Sequence, residues 1–518
     1  MIESYRSDRK DGAAWVTIAF NAAFVCIVLF NVIRALRHAM WRDEFQPWLR
    51  ALEVNQSYLE LLQKLKYDAH PPLWYTVAWL ITRLTDNPVW FQLVHVCLAI
   101  ITSIIIYRWS SFDRVEKILL LLSYFLFFEY FVITRSYMSA ALLGFAFVAV
   151  RLARPLDDFV PWVLLGLLAN TVAHATIWSM SFAAMLVLRR ASFKPAFLAG
   201  GAFYAACLGI AALTMRHDPY YAAGYDFQSA LSHLDALVII PIGTFVPLRP
   251  EWITDVIRYL SEMGAAPVPH FWNPNPYADI LALTHADSDH AFRLAALLSA
   301  PIAACWMIVR TPLRVLEFSM TYIGILLFAD IWDFVGSSRH HGIVFLALIA
   351  CAWESRAERP ADMWSRWTLR TLLIVSACGG ILTLTSELRP FSRGRDAAAW
   401  IKENNLVDAN ILGLGASEIA SVAGYLHRPI YILRCECLAT HQVIPLPKMS
   451  EEPLGRRLLR AIEFGAPRAS ILIIKRPLTD EEKADAPEIS FTLAKAFEGA
   501  ETNEDVWIYR MSKKSRSD

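Results

Sequence analysis

The chain has 518 residues, 56% of them hydrophobic, including 18 Trp, and its mean hydropathy is +0.37. A soluble multidomain protein of this length does not carry so much apolar sequence, so a lipid bilayer is the expected solvent. The formal net charge of +1 gives no basic field to hold nucleic acid, and charge is informative only where it is placed.

A short basic lead (Arg6, Arg9, Lys10) precedes an apolar stretch from Ala13 to Val32. That stretch is longer than a signal-peptide core and no small-residue cleavage site follows it, so it reads as an uncleaved first span. Further apolar runs lie at about 89–107, 117–133, 137–150, 159–174, 176–188, 195–214, 291–309, 313–331, 341–353 and 368–385, for about eleven transmembrane helices in all. The loops at 108–117, 151–154, 189–194, 310–314 and 356–370 are rich in Arg and Lys. By the positive-inside rule they belong to the cytoplasm, together with the N-terminus. The alternate connections, about 35–88, 134–136, 174–176, 215–290 and 332–340, then fall outside. Arg34 and Arg37 stand on the wrong side of the first span, a local exception. The segment 71–86 is too short to cross and reads as a helix lying along the outer surface. The stretch 215–290, rich in Pro, Trp, Tyr and His, reads as a long structured loop there, with Phe271, Trp272 and Tyr277 as interfacial anchors.

From residue 387 the pattern changes. Amphipathic helical stretches (396–404, 418–426, 453–464) alternate with short apolar strands (410–414, 429–433, 470–474, 506–509), the signature of a small α/β unit. The expected architecture is a polytopic α-helical membrane protein, residues 1–386, with a C-terminal soluble α/β domain at 387–518. Six of the eight cysteines lie in apolar runs and read as small core hydrophobes. Cys435 and Cys437, one residue apart, are too close for an ordinary disulfide and lack the second pair of a zinc site, so they receive no role.

The residues able to carry chemistry come from separate stretches. Arg42-Asp43-Glu44 follows the first span, His70-Pro71-Pro72-Leu73 opens the surface helix, and Thr134-Arg135-Ser136-Tyr137 forms a tight connection. Asp330 and Asp333 end one run, and Ser338-Arg339-His340-His341 leads into the next. An adjacent pair of carboxylates is ordinarily just solvated loop, and a lone interfacial Arg is as readily an anchor as a ligand. Their convergence is the stronger sign, because the topology sets Asp43, Glu44, His70, Arg135, Arg339 and His340 at one membrane face. The mixture suits a reaction in which a carboxylate takes a proton from an acceptor hydroxyl while cations stabilise a phosphate leaving group at headgroup level.

Asp43-Glu44 after the first span, His70-Pro71-Pro72-Leu73, and Arg135 with Tyr137 together resemble the GT-C membrane glycosyltransferases, particularly the protein O-mannosyltransferases and the lipid A aminoarabinose transferases. The resemblance implies a GT-C fold in the bacterial inner membrane, with the N-terminus cytoplasmic and the C-terminal domain periplasmic. It implies an inverting transfer of sugar from a polyprenyl-phosphate donor to a glycan, lipid or protein acceptor among the membrane lipids. Asp43 would be the catalytic base, Glu44 its partner or an acceptor ligand, and Arg135 with Tyr137 the grip on the carrier. His70 matches the mannosyltransferase side of the family, where the aminoarabinose transferases have Lys. Arg339 and His340 are assigned to the donor by topology. No cofactor is implied with certainty. A divalent metal held by Glu44, His70 or His340 is left open, since these ligand types show no diagnostic spacing. The competing reading is a flippase or transporter of polyprenyl-linked lipid or sugar, which would place ionisable groups near the bilayer midplane in symmetric halves; no internal repeat is evident in the sequence.

Overall fold

The computed structural model describes residues 2–54, 57–66, 68, 70–154, 158–189, 194–216, 302, 304–331, 336–440, 452–466 and 468–514, with isolated positions between 240 and 261. Most of the 215–290 loop with Phe271, Trp272 and Tyr277, most of the 291–309 run, and Asp333 lie outside these residues.

Residues up to 388 form a multi-pass helical region. Helix α1 (Ile2–Arg37) is followed by three shorter helices, α2 (Arg42–Glu53), α3 (Tyr58–Leu65) and α4 (Leu73–Thr82). Then come α5 (Val89–Trp109), α6 (Arg114–Leu121), α7 (Tyr137–Ala153), α8 (Val160–Ala169), α9 (Ala173–Arg189) and α10 (Pro195–Met215). Further along the chain lie α11 (Pro312–Ile331), α12 (Ser338–Glu358) and α13 (Met363–Leu382). Among the described residues five segments are long and apolar enough to cross a membrane: Trp15–Arg37, Val89–Trp109, Pro195–Met215, Pro312–Ala329 and Met363–Thr385. Helix α12 is the central one, with every residue from His341 to Ser355 buried, packed between α7, α9 and α11.

Two of the expected runs are not single helices. The run at 117–133 is α6 up to Leu121, then a break, then one turn of π-helix at Phe125–Glu129 closed by the bond from Tyr130 N–H to Phe125 O (2.8 Å). The break sits where α13 presses against the chain: Ser376 Oγ accepts the Tyr124 N–H (3.2 Å), and a Cβ on Gly380 would collide with the Leu122 carbonyl. The run at 159–174 stops at Ala169, because Asn170 turns its amide back onto the Gly166 carbonyl (2.8 Å) and across to Cys207 O (3.0 Å).

Of the two exceptions to the charge rule, Arg37 is exposed at the end of α1, but Arg34 is not a loop cation. It is buried, paired with Glu387, and donates to Asn31 Oδ1 (2.9 Å), Phe127 O (3.0 Å) and Thr383 Oγ1 (3.1 Å). A cation satisfied inside the fold has no reason to obey a rule about free loop charge.

The C-terminal region is β-rich: six strands in the order β3-β2-β1-β4-β6-β5. They are β1 (Asn410–Gly413), β2 (Ile430–Ile432), β3 (Cys437–Ala439), β4 (Ser470–Ile474), β5 (Ile489–Phe497) and β6 (Val506–Lys513). β2, β1 and β4 run parallel, and β3, β6 and β5 are added antiparallel at the flanks. Fully buried β1 and β4 are uninterrupted apolar runs apart from their first residues, as a sheet covered on both faces requires. Helices α14 (Gly394–Glu403) and α15 (Ala416–Leu426) share one apolar cluster with that sheet, and α16 (Leu454–Gly465) shares the cluster on the other face. Cys435 and Cys437 form a disulfide across the turn between β2 and β3, correcting the sequence reading. Glu436 adopts a positive φ of 51°, and the two Cα atoms stand 5.2 Å apart, within ordinary disulfide reach.

Candidate active site

Helix α2 starts where the chain leaves α1, and its first turn carries Asp43 and Glu44. Residues adjacent on a helix point about 100° apart, and the two carboxylates have correspondingly different surroundings. Glu44 is fully buried. One of its oxygens accepts the His38 Nε2–H (2.7 Å) and the Trp41 N–H (3.1 Å), closing the helix start as a capping box does. The other accepts the Thr134 N–H at 2.5 Å. Glu44 thus ties the start of α2 to the 130–136 turn.

Asp43 faces a small opening, with 23% of its side chain exposed. Arg135 Nη1 donates to its Oδ2 at 2.9 Å, Arg339 Nη2 lies 3.2 Å from the same oxygen, and Arg42 Nε lies 3.4 Å from Oδ1. Three guanidinium groups surround one carboxylate. Burial alone would raise the Asp43 carboxyl, but Arg135, Arg339 and Arg42 outweigh it and hold it below the usual carboxylate value. Burial would likewise lower Arg135, yet Asp43 and the Tyr137 and Tyr75 hydroxyls push it up. Asp43 is therefore an anion, and Arg135 a cation, throughout the physiological range. The helical donor to the Asp43 carbonyl would be residue 47, which is Pro and has no N–H.

Aromatic rings set the arginines. Arg135 lies over Tyr137 (5.7 Å to the centroid) and Arg339 over Trp41 (5.9 Å). Tyr137 stacks on Tyr130 at 5.3 Å, and the Tyr130 hydroxyl donates to the Arg339 carbonyl (2.6 Å). The His340 ring meets Tyr137 edge-on at 5.8 Å, and its Nδ1 accepts the Ser337 N–H (2.8 Å), which leaves the proton of the neutral ring on Nε2. His70 Nδ1 donates to the Asp68 carbonyl, so its Nε2 is an acceptor. Arg50 fixes that segment with a bidentate pair to the Asp68 carboxylate (2.9 and 2.8 Å). Burial lowers the His70 ring below its ordinary value, and Arg135 and Arg339 add to this, so it is neutral at pH 7.

The structure therefore brings Asp43, Arg135, Arg339, Tyr137 and His340 to one end of the bundle, with Glu44 directly behind. Among the described residues no group of three or more His, Cys, Asp or Glu is placed to hold a metal ion. Glu44, His70 and His340 each have the bonds given above, and the donor set does not fit a divalent site.

No family model matches this sequence, and no curated protein does. Two solved structures of the arabinofuranosyltransferase AftD from Mycobacteria are matched over 95% of this chain. One is 12% identical with a TM-score of 0.36; the other, a mutant form, is 13% identical with a TM-score of 0.35. The chain spans about two-fifths of their length, 39% and 41%. A likeness at this level carries no argument about activity, which has to rest on the site itself.

Trp41, Tyr130 and the anchoring carboxylate of Asp68 were not singled out by sequence reasoning. Trp41 and Glu44, three apart across the helix start, carried a partial signal, the Glu of a capping box without its usual Ser or Thr.

Proposed function

We propose that the chain is an inverting GT-C glycosyltransferase that moves a sugar from a polyprenyl-phosphate donor to an acceptor hydroxyl at the outer face of a bacterial inner membrane. The observation that carries this reading is the charge ratio at the site: Arg42, Arg135 and Arg339 around the one carboxylate of Asp43. An excess of cations beside an ionised, partly exposed carboxylate suits a phosphate and a hydroxyl in the same pocket.

In the proposed step Asp43 takes the proton of the acceptor hydroxyl as that oxygen bonds to the anomeric carbon from the face opposite the phosphate. The bond from carbon to phosphate oxygen breaks, and its electron pair leaves with the polyprenyl phosphate, whose charge Arg135 and Arg339 stabilise. His70 Nε2 and the Tyr137 hydroxyl are suited to the sugar, and Glu44 holds the Asp43 and Arg135 segments together. Residues 1–386 form the membrane module and 387–518 the periplasmic domain in this reading. The Cys435–Cys437 disulfide supports that side for the tail, since disulfides persist in oxidising compartments.

The test is transfer of radiolabelled sugar from a panel of synthetic polyprenyl-phosphate sugars in membranes. Asp43→Asn at equal expression is expected to lose about 10²- to 10⁴-fold in turnover while still binding the donor. Unchanged turnover would remove Asp43 from the mechanism.

A further inference from the structure

The stretch between α1 and α2, residues 38–41, has no regular structure of its own and leads straight into Asp43. Within the helical region Gln92 of α5 donates to the His38 carbonyl (3.2 Å), and further holds on this backbone and its flanks come from outside that region. Arg395 Nη1 donates to the Arg37 carbonyl (3.1 Å), the Tyr425 hydroxyl accepts the Met40 N–H (2.7 Å), and Glu504 Oε1 accepts the Arg42 N–H (3.1 Å). These side chains come from α14, from α15 and from the loop before β6. All belong to the C-terminal region.

Packing repeats the pattern. Phe391 sits against His38 (4.7 Å) and Trp41 (6.1 Å), and Phe45 meets the Tyr425 ring edge-on at 4.8 Å. Phe45 lies so close to α15 that any Cβ at Gly424 would overlap its ring. Glu504 is itself fixed, because its second oxygen accepts the Ser392 hydroxyl (2.7 Å). The orphan N–H groups that open a helix are usually met by a local cap. Here the Arg42 N–H is met by a residue 462 positions away.

We infer that the C-terminal region is a positioning element of the site: Tyr425 and Glu504, through the backbone of residues 40 and 42, set where the Asp43 carboxylate stands between Arg135 and Arg339. The inference rests on the function proposed above, and it gives the tail a role in turnover. Neither Tyr425 nor Glu504 touches Asp43, and both act only through the chain that carries it. They therefore bear first on the geometry of the base, because Arg135 and Arg339, the donor's phosphate ligands, stand on other stretches of the chain.

The experiment uses the full chain in membranes and in detergent, with Tyr425→Phe, Glu504→Ala and Glu504→Gln. Two readouts are taken: steady-state transfer, and hydrogen exchange of the peptide covering residues 38–45. Tyr425→Phe and Glu504→Ala are expected to lower kcat about five- to tenfold each, the effect of one lost hydrogen bond, with donor KM unchanged and faster exchange at 38–45. Glu504→Gln keeps an acceptor for the Arg42 N–H and is expected to recover most of kcat. If exchange quickens while kcat per folded molecule stays put, or if neither moves, the inference is overturned. If the unaltered chain transfers sugar from no donor, the proposed function fails. Exchange then judges the hold on the backbone alone, upheld by faster exchange in the variants and refuted by unchanged exchange.

Discussion

The two ends of the helical bundle use the same residue types to opposite effect. At the end away from Asp43, Arg151 Nη1 and Nη2 reach Glu317 and Glu354 at 3.0 Å each, and Arg314 pairs with the same two carboxylates. These four side chains are at most 2% exposed, and they join α7, α11 and α12. Arg314 and Arg189 also share Glu358 (2.7 and 2.8 Å). Cations and carboxylates are balanced there, and the network is closed. At the Asp43 end three arginines share one carboxylate, the side chains of Asp43, Arg135 and Arg339 keep 10–23% exposure, and the arrangement is left open to an anion. Buried charge by itself therefore says little about function, whereas stoichiometry and access distinguish a structural lock from a site.

Removing one arginine at each end tests that contrast most directly. Arg339→Gln is expected to cut kcat/KM by about 10²- to 10³-fold in the transfer assay, the scale of losing one charged stabiliser of the leaving group, with little change in thermal stability in detergent. Arg314→Met should do the reverse. Stripping one partner from a buried ion-pair network costs about 3–5 kcal/mol, so a large fall in melting temperature is expected, with turnover per folded molecule near the unaltered level. Equal loss of turnover at both ends would erase the distinction.

A smaller effect sharpens it. The arginines hold the Asp43 carboxyl below its ordinary value, so the base stays ionised as pH falls through the usual carboxylate range. The acid limb of kcat/KM that Asp43 controls in the free enzyme then lies below that range. Arg339→Gln removes one of those cations, raises the carboxyl and moves this limb to higher pH, which a pH profile of the residual activity reads. The same depression makes Asp43 stabilising above its unfolded value, a contribution lost only as pH falls through the lower folded one. A limb that does not move in the variant would show that another group controls it.

Much of the architecture was legible in the sequence. Apolar run length located most of the helices, and loop charge placed Asp43, Arg135 and Arg339 at one end, because both signals are compositional and survive without any knowledge of packing. Alternating patterns found four of the six strands. They missed β3, which is only three residues long, and β5, an edge strand whose polar and apolar residues are mixed by its exposure. Hydropathy could not see the break after Leu121, since Phe125–Glu129 is as apolar as a continuous helix, and the cause lies in Ser376 and Gly380, some 250 residues on. Nor could it separate Asp43 from Glu44. Which of two adjacent carboxylates faces the opening depends on the rotation of α2, and the C-terminal region takes part in setting that rotation.

The single π turn at Phe125–Glu129 fixes more than a local bend. Such a turn amounts to an α-helix with one residue too many, so the placement of Arg135 is stored as a count. Deleting one residue between 125 and 129 would shorten the chain between two fixed points, the Tyr124 N–H on Ser376 and the Thr134 N–H on Glu44, so that one hold must give and the guanidinium shift from Asp43 without any residue of the site being altered. In the descent of such chains, a change of length there would be felt as a change of chemistry.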